Sequence, residues 1–177
     1  MSALKNVRML TRYTAWANAL LYTTLGEQAE PELTKPRQLV FGNIIRTLNH
    51  VYTMDLVWQA HLEGRDHGFT TRTPDVHISF QELRDAQFAV DSWYVHYAEE
   101  MSDRAGEEIV DFTFIGGGAG AMTRGDIILH VANHTTYHRG HIAAMIYQIP
   151  AHPPTTDLPV FLRNAALHTE RGPRGPL

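Results

Sequence analysis

The stretch His130-Val-Ala-Asn-His134-Thr-Thr-Tyr-His138-Arg-Gly-His141 places four histidines within twelve residues of a run that has no proline between Thr123 and Gln148. Spacings of three and four put side chains on one face of an α-helix, a turn apart, where two imidazoles can reach a single ion. Three such pairs compete: His130 with His134, His134 with His138, and His138 with His141. At about 100° per residue, the apolar set Ile127, Val131, Ile142, Met145 and Ile149 centres about 20° from His138, about 60° from His134, about 80° from His141 and about 100° from His130. His134 and His138 therefore face inward, which makes this helix part of a bundle core and the pair a candidate metal site. Two ligands make a weak site, so a third from another helix is expected.

Working outward, Thr123 with Asp126 reads as a capping box opening this fourth helix over Arg124 to about Gln148, stopped by Pro150. Before it, Ile109 to Ile115 alternates and is β-prone, and Gly116, Gly117, Gly118 and Gly120 turn the chain back into a short hairpin. Ser79 with Glu82 reads as another capping box, opening a third helix to about Arg104 whose apolar side chains are Phe80, Leu83, Phe88, Trp93 and Tyr97. Leu39 to Leu62 forms the second helix, ended by Gly64, after a breaker from Pro31 to Pro36; about Leu4 to Gln28 forms the first. Thr155 to His168 forms one short helix, and the end from about residue 169 is expected to be mobile. The fold class is all-α: a four-helix bundle with a small β-hairpin before the fourth helix, one domain over 1–177.

His50 lies near the middle of the second helix, among Thr47, Met54 and Val57, and supplies a third imidazole. His61, about three turns further along, competes with it, and spacing by itself leaves both open. The glycine run Gly116 to Ala121 superficially matches a dinucleotide fingerprint. The helix after it leads into prolines instead of a second parallel strand, so no nucleotide crevice forms. Asn133-His-Thr135 matches a glycosylation acceptor but lies inside a predicted helix.

Composition narrows the chemistry. The 177 residues carry a net charge of -4, which excludes a surface built to release counterions from nucleic acid. Cysteine is absent, so there is no thiolate ligand and no protein thiol nucleophile. No apolar run approaches the roughly 20 residues of a membrane span, and the N-terminus shows no apolar signal core, so a cytoplasmic protein is expected. No Glu-x-x-His motif occurs, which sets a di-iron bundle aside. Three neutral imidazoles leave a divalent ion its full charge and open positions, which marks a catalytic or ligand-binding site more than a closed one. Zinc and nickel suit the set best, and imidazole also accepts iron, cobalt or manganese.

Tyr13-Thr-Ala-Trp-Ala-Asn18, Leu48-Asn-His-Val51 with Trp58 downstream, and Met122-Thr-Arg-Gly-Asp126 leading into His134-Thr-Thr-Tyr-His-Arg-Gly140 together resemble the DinB family over roughly residues 5 to 165. The resemblance implies a metal held by His50, His134 and His138, and a homodimer. It implies neither DNA binding nor polymerase activity. Where the family frequently has glutamine after His-Arg-Gly, this chain has His141. The resemblance further implies an enzyme similar to bacterial thiol-dependent transferases and isomerases, with a low-molecular-weight thiol as cosubstrate. A metal-dependent hydrolase and a non-catalytic metal-binding stress protein are the alternative readings. His141, Tyr137 and Asp55 are the candidate bases.

Overall fold

The computed structural model describes residues 3–75 and 78–170. Local signals account for most element ends. The first helix, α1, is Ala3–Gly26, and α3 is Ile44–Glu63, where the Asn43 side chain accepts from the Arg46 N–H and Gly64 stops the helix in the left-handed region at φ 70°. Helix α4, Phe80–Glu100, opens with the full Ser79–Glu82 capping box. Helix α6, Arg124–Ile146, opens with Thr123 accepting from the Asp126 N–H, and α7 is Leu158–Glu170. Between α4 and α6, strands β1, Ile109–Thr113, and β2, Ala119–Thr123, pair antiparallel with Phe112 opposite Gly120. Gly116, Gly117 and Gly118 all take positive φ in the turn between the strands.

Three boundaries differ from the sequence expectation. The proline segment holds a short helix, α2, Glu30–Thr34, because Pro31 sits in its first turn, where the missing N–H costs nothing. The second long helix starts at Ile44 instead of Leu39, since a turn from Leu39 to Gly42 precedes the Asn43 cap. The third long helix stops at Glu100, and Ser102 caps a separate turn, α5, Asp103–Gly106. The expectation of a mobile end falls mostly on 171–177, outside the described residues, while α7 continues through Glu170.

Helix α1 packs on α4 and α6, and α3 packs on the same two, closing a four-helix bundle. Two apolar clusters fill its ends. One gathers Leu4, Val7, Trp58, Leu62, Tyr94, Phe112, Ile127 and Val131, and the other gathers Leu21, Leu25, Ile44, Leu48, Leu83, Ile142 and Ile146. The order in which each helix visits them sets its direction: α1 and α6 run one way, α3 and α4 the other. The described connection from Gly64 to Asp75 runs back along the bundle, with Arg72 and Pro74 beside His50 and Asn49, toward the end where α4 starts parallel to α3. Between the clusters lies a buried polar level that includes Asn18, His50, Asp55, Gln87, Asp91, Thr135, His138 and Arg139.

Helix α4 departs from its expected face. Its innermost stripe is Leu83, Gln87, Val90, Asp91, Tyr94 and Ala98, while Phe80, Phe88, Trp93 and Tyr97 are only partly buried at its flanks. Gln87 and Asp91 occupy core positions that an apolar count assigns to solvent.

Candidate metal centre

Antiparallel packing of α3 on α6 brings His50 level with His134 and His138. One ring nitrogen from each of the three lies within 4.8 Å of the others, so the group can hold a metal ion. Ring centroids are 5.2 Å apart for His50 and His134, 4.7 Å for His50 and His138, and 4.4 Å for His134 and His138. His50 and His138 are each 6% exposed, and His134 is half-buried. The inward orientation of His134 and His138 follows from their angular distance to the apolar stripe of α6.

The crossover segment orients His50. Its Nδ1 lies 2.9 Å from the Arg72 carbonyl oxygen and 3.3 Å from Thr73 Oγ1, and the Pro74 carbonyl accepts from the neighbouring Asn49. A proton on Nδ1 donated to that carbonyl leaves the Nε2 lone pair facing inward, an arrangement common for metal-ligating histidines. Phe41 stacks on the His50 ring at 4.3 Å and reaches His138 at 5.4 Å, covering both from one side.

Burial drives all three toward the neutral form that coordination requires, reinforced at His134 and His138 by the neighbouring imidazoles and at His50 by the charge of Arg72. His134 is lowered to about 3 and His138 to about 4, and His50 is lowered as well. The donor atoms fit an ion. His50 Nε2 and His134 Nε2 face each other at 3.2 Å, matching the edge of about 3.3 Å that ~2.05 Å metal–nitrogen bonds make in a tetrahedron. Buried Nδ1 atoms of His134 and His138 have no hydrogen-bond partner among the described residues.

The remaining histidines sort by height along α6. His61 packs one cluster away, against Trp58, His67 and Phe112, and His130 packs on the same Trp58. Neither belongs to the group. His141 is half-buried, 5.3 Å from the His138 ring, and the Tyr137 ring lies 5.0 Å from His138 and 4.5 Å from His141. Tyr137 is 62% exposed, so it stands at the solvent edge of the centre.

Asp55, the third of the candidate bases, hydrogen-bonds within a different buried group. Five residues beyond His50, it is turned about 140° around α3 and accepts from Gln87 Nε2 at 2.8 Å. The same Gln87 amide donates to Asp91 at 3.0 Å, and Asn18 Nδ2 donates to both Asp91 oxygens at 3.2 and 3.0 Å. Burial holds Asp55 well above the usual carboxylate range and pushes Asp91 up to about 6. Sequence reasoning missed this acid–amide network, together with the roles of Phe41, Arg72 and Thr73. Asn18 carried one signal, its place in the first-helix motif; the others carried none.

A helical bundle with three convergent imidazoles at its polar level defines a protein able to hold a metal ion in its core. The DinB family model matches residues 1–173, and the chain belongs to the DinB family. Protein DinB of Bacillus subtilis (strain 168) is 26% identical over 161 residues, covering 86% of this chain and 91% of its own length. The crystal structure of a DinB-like protein from Bacillus cereus ATCC 10987 superposes with a TM-score of 0.59 at 20% identity, covering 78% of this chain and 89% of that one. At that identity it supports the fold alone. Among the described residues no helix is long and apolar enough to cross a membrane.

Proposed function

We propose that this chain is a metal-dependent enzyme that uses a low-molecular-weight thiol, of the S-transferase or isomerase type. The observation that carries this reading is the convergence of three neutral imidazoles with no carboxylate or thiolate among them. A divalent ion bound there, zinc or nickel by preference, would keep its double positive charge and stabilise the thiolate of a small-molecule thiol at neutral pH. The chain has no cysteine, so the sulfur nucleophile comes from the cosubstrate.

The protein's part is positioning and protection. The Arg72 carbonyl fixes the tautomer and plane of His50, Phe41 shields the His50 and His138 rings from water, and the Tyr137 edge stands open to an arriving substrate. His141, beside both His138 and Tyr137, is the side chain best placed to carry a proton between the centre and solvent. A homodimer belongs to the same proposal on the family resemblance, and light scattering at micromolar concentration checks it.

The test is cobalt-loaded protein titrated with small thiols. A sulfur-to-metal charge-transfer band is expected, and His138→Ala is expected to abolish it. Bound cobalt whose spectrum no thiol perturbs overturns the thiol reading in favour of a hydrolase or a non-catalytic metal protein.

A further inference from the structure

Outside the histidine group, three residues with a buried polar atom that has no hydrogen-bond partner among the described residues line the same cavity. The atoms are the Tyr22 hydroxyl, Gln87 Oε1 and Thr135 Oγ1. The cavity, of about 10 Å³, lies where α1, α3, α4 and α6 meet. Tyr22 and Thr135 are each 2% exposed and Gln87 is 1% exposed, so bulk solvent does not serve these atoms. Buried polar groups are ordinarily bonded, to the protein or to an ordered water.

The three atoms differ in what they need. Gln87 gives its amide hydrogens to Asp55 at 2.8 Å and Asp91 at 3.0 Å, which fixes the amide's orientation and leaves Oε1 as a pure acceptor. Thr135 Oγ1 can donate or accept. Its neighbour Thr136 bonds the Ala132 carbonyl one turn back at 2.8 Å, a bond that Thr135 does not make in the same way. The Tyr22 ring packs on Phe80 and Phe88, with centroids 5.7 Å away in both cases. Burial, and then the charges of Asp91 and Asp55, push its hydroxyl well above the ordinary tyrosine value, so it remains an O–H donor.

Size and charge select the occupant. A cavity of this volume is on the scale of one water molecule. The Arg139 guanidinium in the wall opposes a cation. Asp91, whose charge acts on Arg139 and which accepts from Gln87, opposes an anion. An apolar occupant would leave all three polar atoms unpaired. We propose that the cavity binds a single internal water, which accepts from the Tyr22 hydroxyl and donates to Gln87 Oε1 and Thr135 Oγ1. Three such bonds are typical of a buried water. Through Thr135, the residue after His134, this water ties α6 to the acid–amide network, beside the long direct bond of 3.4 Å from Arg139 to Asn18.

A high-resolution crystal structure of the full chain tests it. One isolated peak with the scattering of a water is expected within about 2.5–3.2 Å of Tyr22 Oη, Gln87 Oε1 and Thr135 Oγ1 together. Val51→Ile adds a methyl group at the cavity wall and is expected to abolish the peak with metal stoichiometry unchanged. In solution, water-to-methyl NMR cross-peaks are expected at Val51 and Ile142, which line the cavity, and not at Leu25, which is buried elsewhere. These measurements on the parent stand even if Val51→Ile fails to fold. A parent structure without the peak, the three oxygens bonded instead to protein groups, or density too large or too anomalous for water would each overturn the proposal. So would Val51 and Ile142 methyls that see water no more than Leu25 does.

Discussion

The polar level of the bundle holds two groups of buried side chains of different chemistry, one pairing acids with amides and the other gathering imidazoles. In the acid–amide network the carboxylates of Asp55 and Asp91 receive hydrogen bonds from Gln87 and Asn18. Each acid receives at least one amide hydrogen, while Asp55 Oδ1 and Gln87 Oε1 have no partner among the described residues. In the histidine group, ring nitrogens face each other across 3.2 Å, and two further Nδ1 atoms have no partner. Neutral imidazoles whose lone-pair nitrogens converge on one point are arranged for an external electrophile. The first group ties α1, α3 and α4 together; the second joins α3 to α6. What separates the groups is therefore chemistry: amide hydrogens are aimed at carboxylates in one, and ring nitrogens converge on one point in the other.

The largest effect that separates the two groups is loss of metal. His138→Ala should not retain a full equivalent, with affinity falling by more than the about 10- to 100-fold typical of losing a ligand's hydrogen-bond partner. His61→Ala and His130→Ala should bind as the parent does. Metal analysis of protein purified without a nickel column decides it, and a full equivalent in His138→Ala would break the contrast.

Acid should act on the two groups with opposite sign. His134 and His138, lowered to about 3 and about 4 from 6.5, stabilise the metal-free fold fully above pH 6.5, and this contribution is lost as pH falls through the folded values. Asp91, raised from 3.8 to about 6, contributes stability below 3.8 that is lost as pH rises through about 6. Five histidines are lowered (His50, His61, His130, His134 and His138), against two raised aspartates, Asp55 and Asp91. At about 1.4 kcal/mol per proton per pH unit, the histidines prevail. Urea unfolding of metal-free protein should show stability falling from about pH 6.5 toward about 4. Asp91→Asn removes an opposing contribution and should steepen the fall; a flat profile would refute the assignment.

Removing a donor from the acid–amide group should cost stability and leave the metal alone. Gln87→Ala strips donors from Asp55 and Asp91, so a loss of about 1–3 kcal/mol in urea unfolding is expected, with unchanged metal stoichiometry. The smallest effect is a gain. Gly140→Ala places a Cβ in open space within α6 and should add about 0.5–1 kcal/mol to the parent's unfolding free energy.

Much of this arrangement is local and was legible as such. The Ser79–Glu82 box, the Thr123 cap and the Gly64 stop depend on atoms a few residues apart, so the four long helices and the hairpin could be read from the chain, whereas the Asn43 cap was passed over and the second long helix begun at Leu39. The same holds for His134 with His138, whose common face follows from helical pitch. Pro31 was misread as a breaker because its place in a first turn depends on where α2 begins.

What the sequence by itself determined is therefore the set of helices, the paired imidazoles on one of them, and the absence of any protein thiol. The family resemblance in the sequence implied His50 as the third histidine, and the tertiary structure supplies the physical reason. Spacing left His50 and His61 equal, and only the antiparallel packing of α3 on α6 sets His50 level with His134 and His61 level with His130. It also turned Asp55 from the histidines toward Gln87, placed Gln87 and Asp91 in the core, and laid the Arg72 carbonyl against His50. Each of these depends on contacts between segments distant in the chain, whose relative height and rotation no local periodicity specifies.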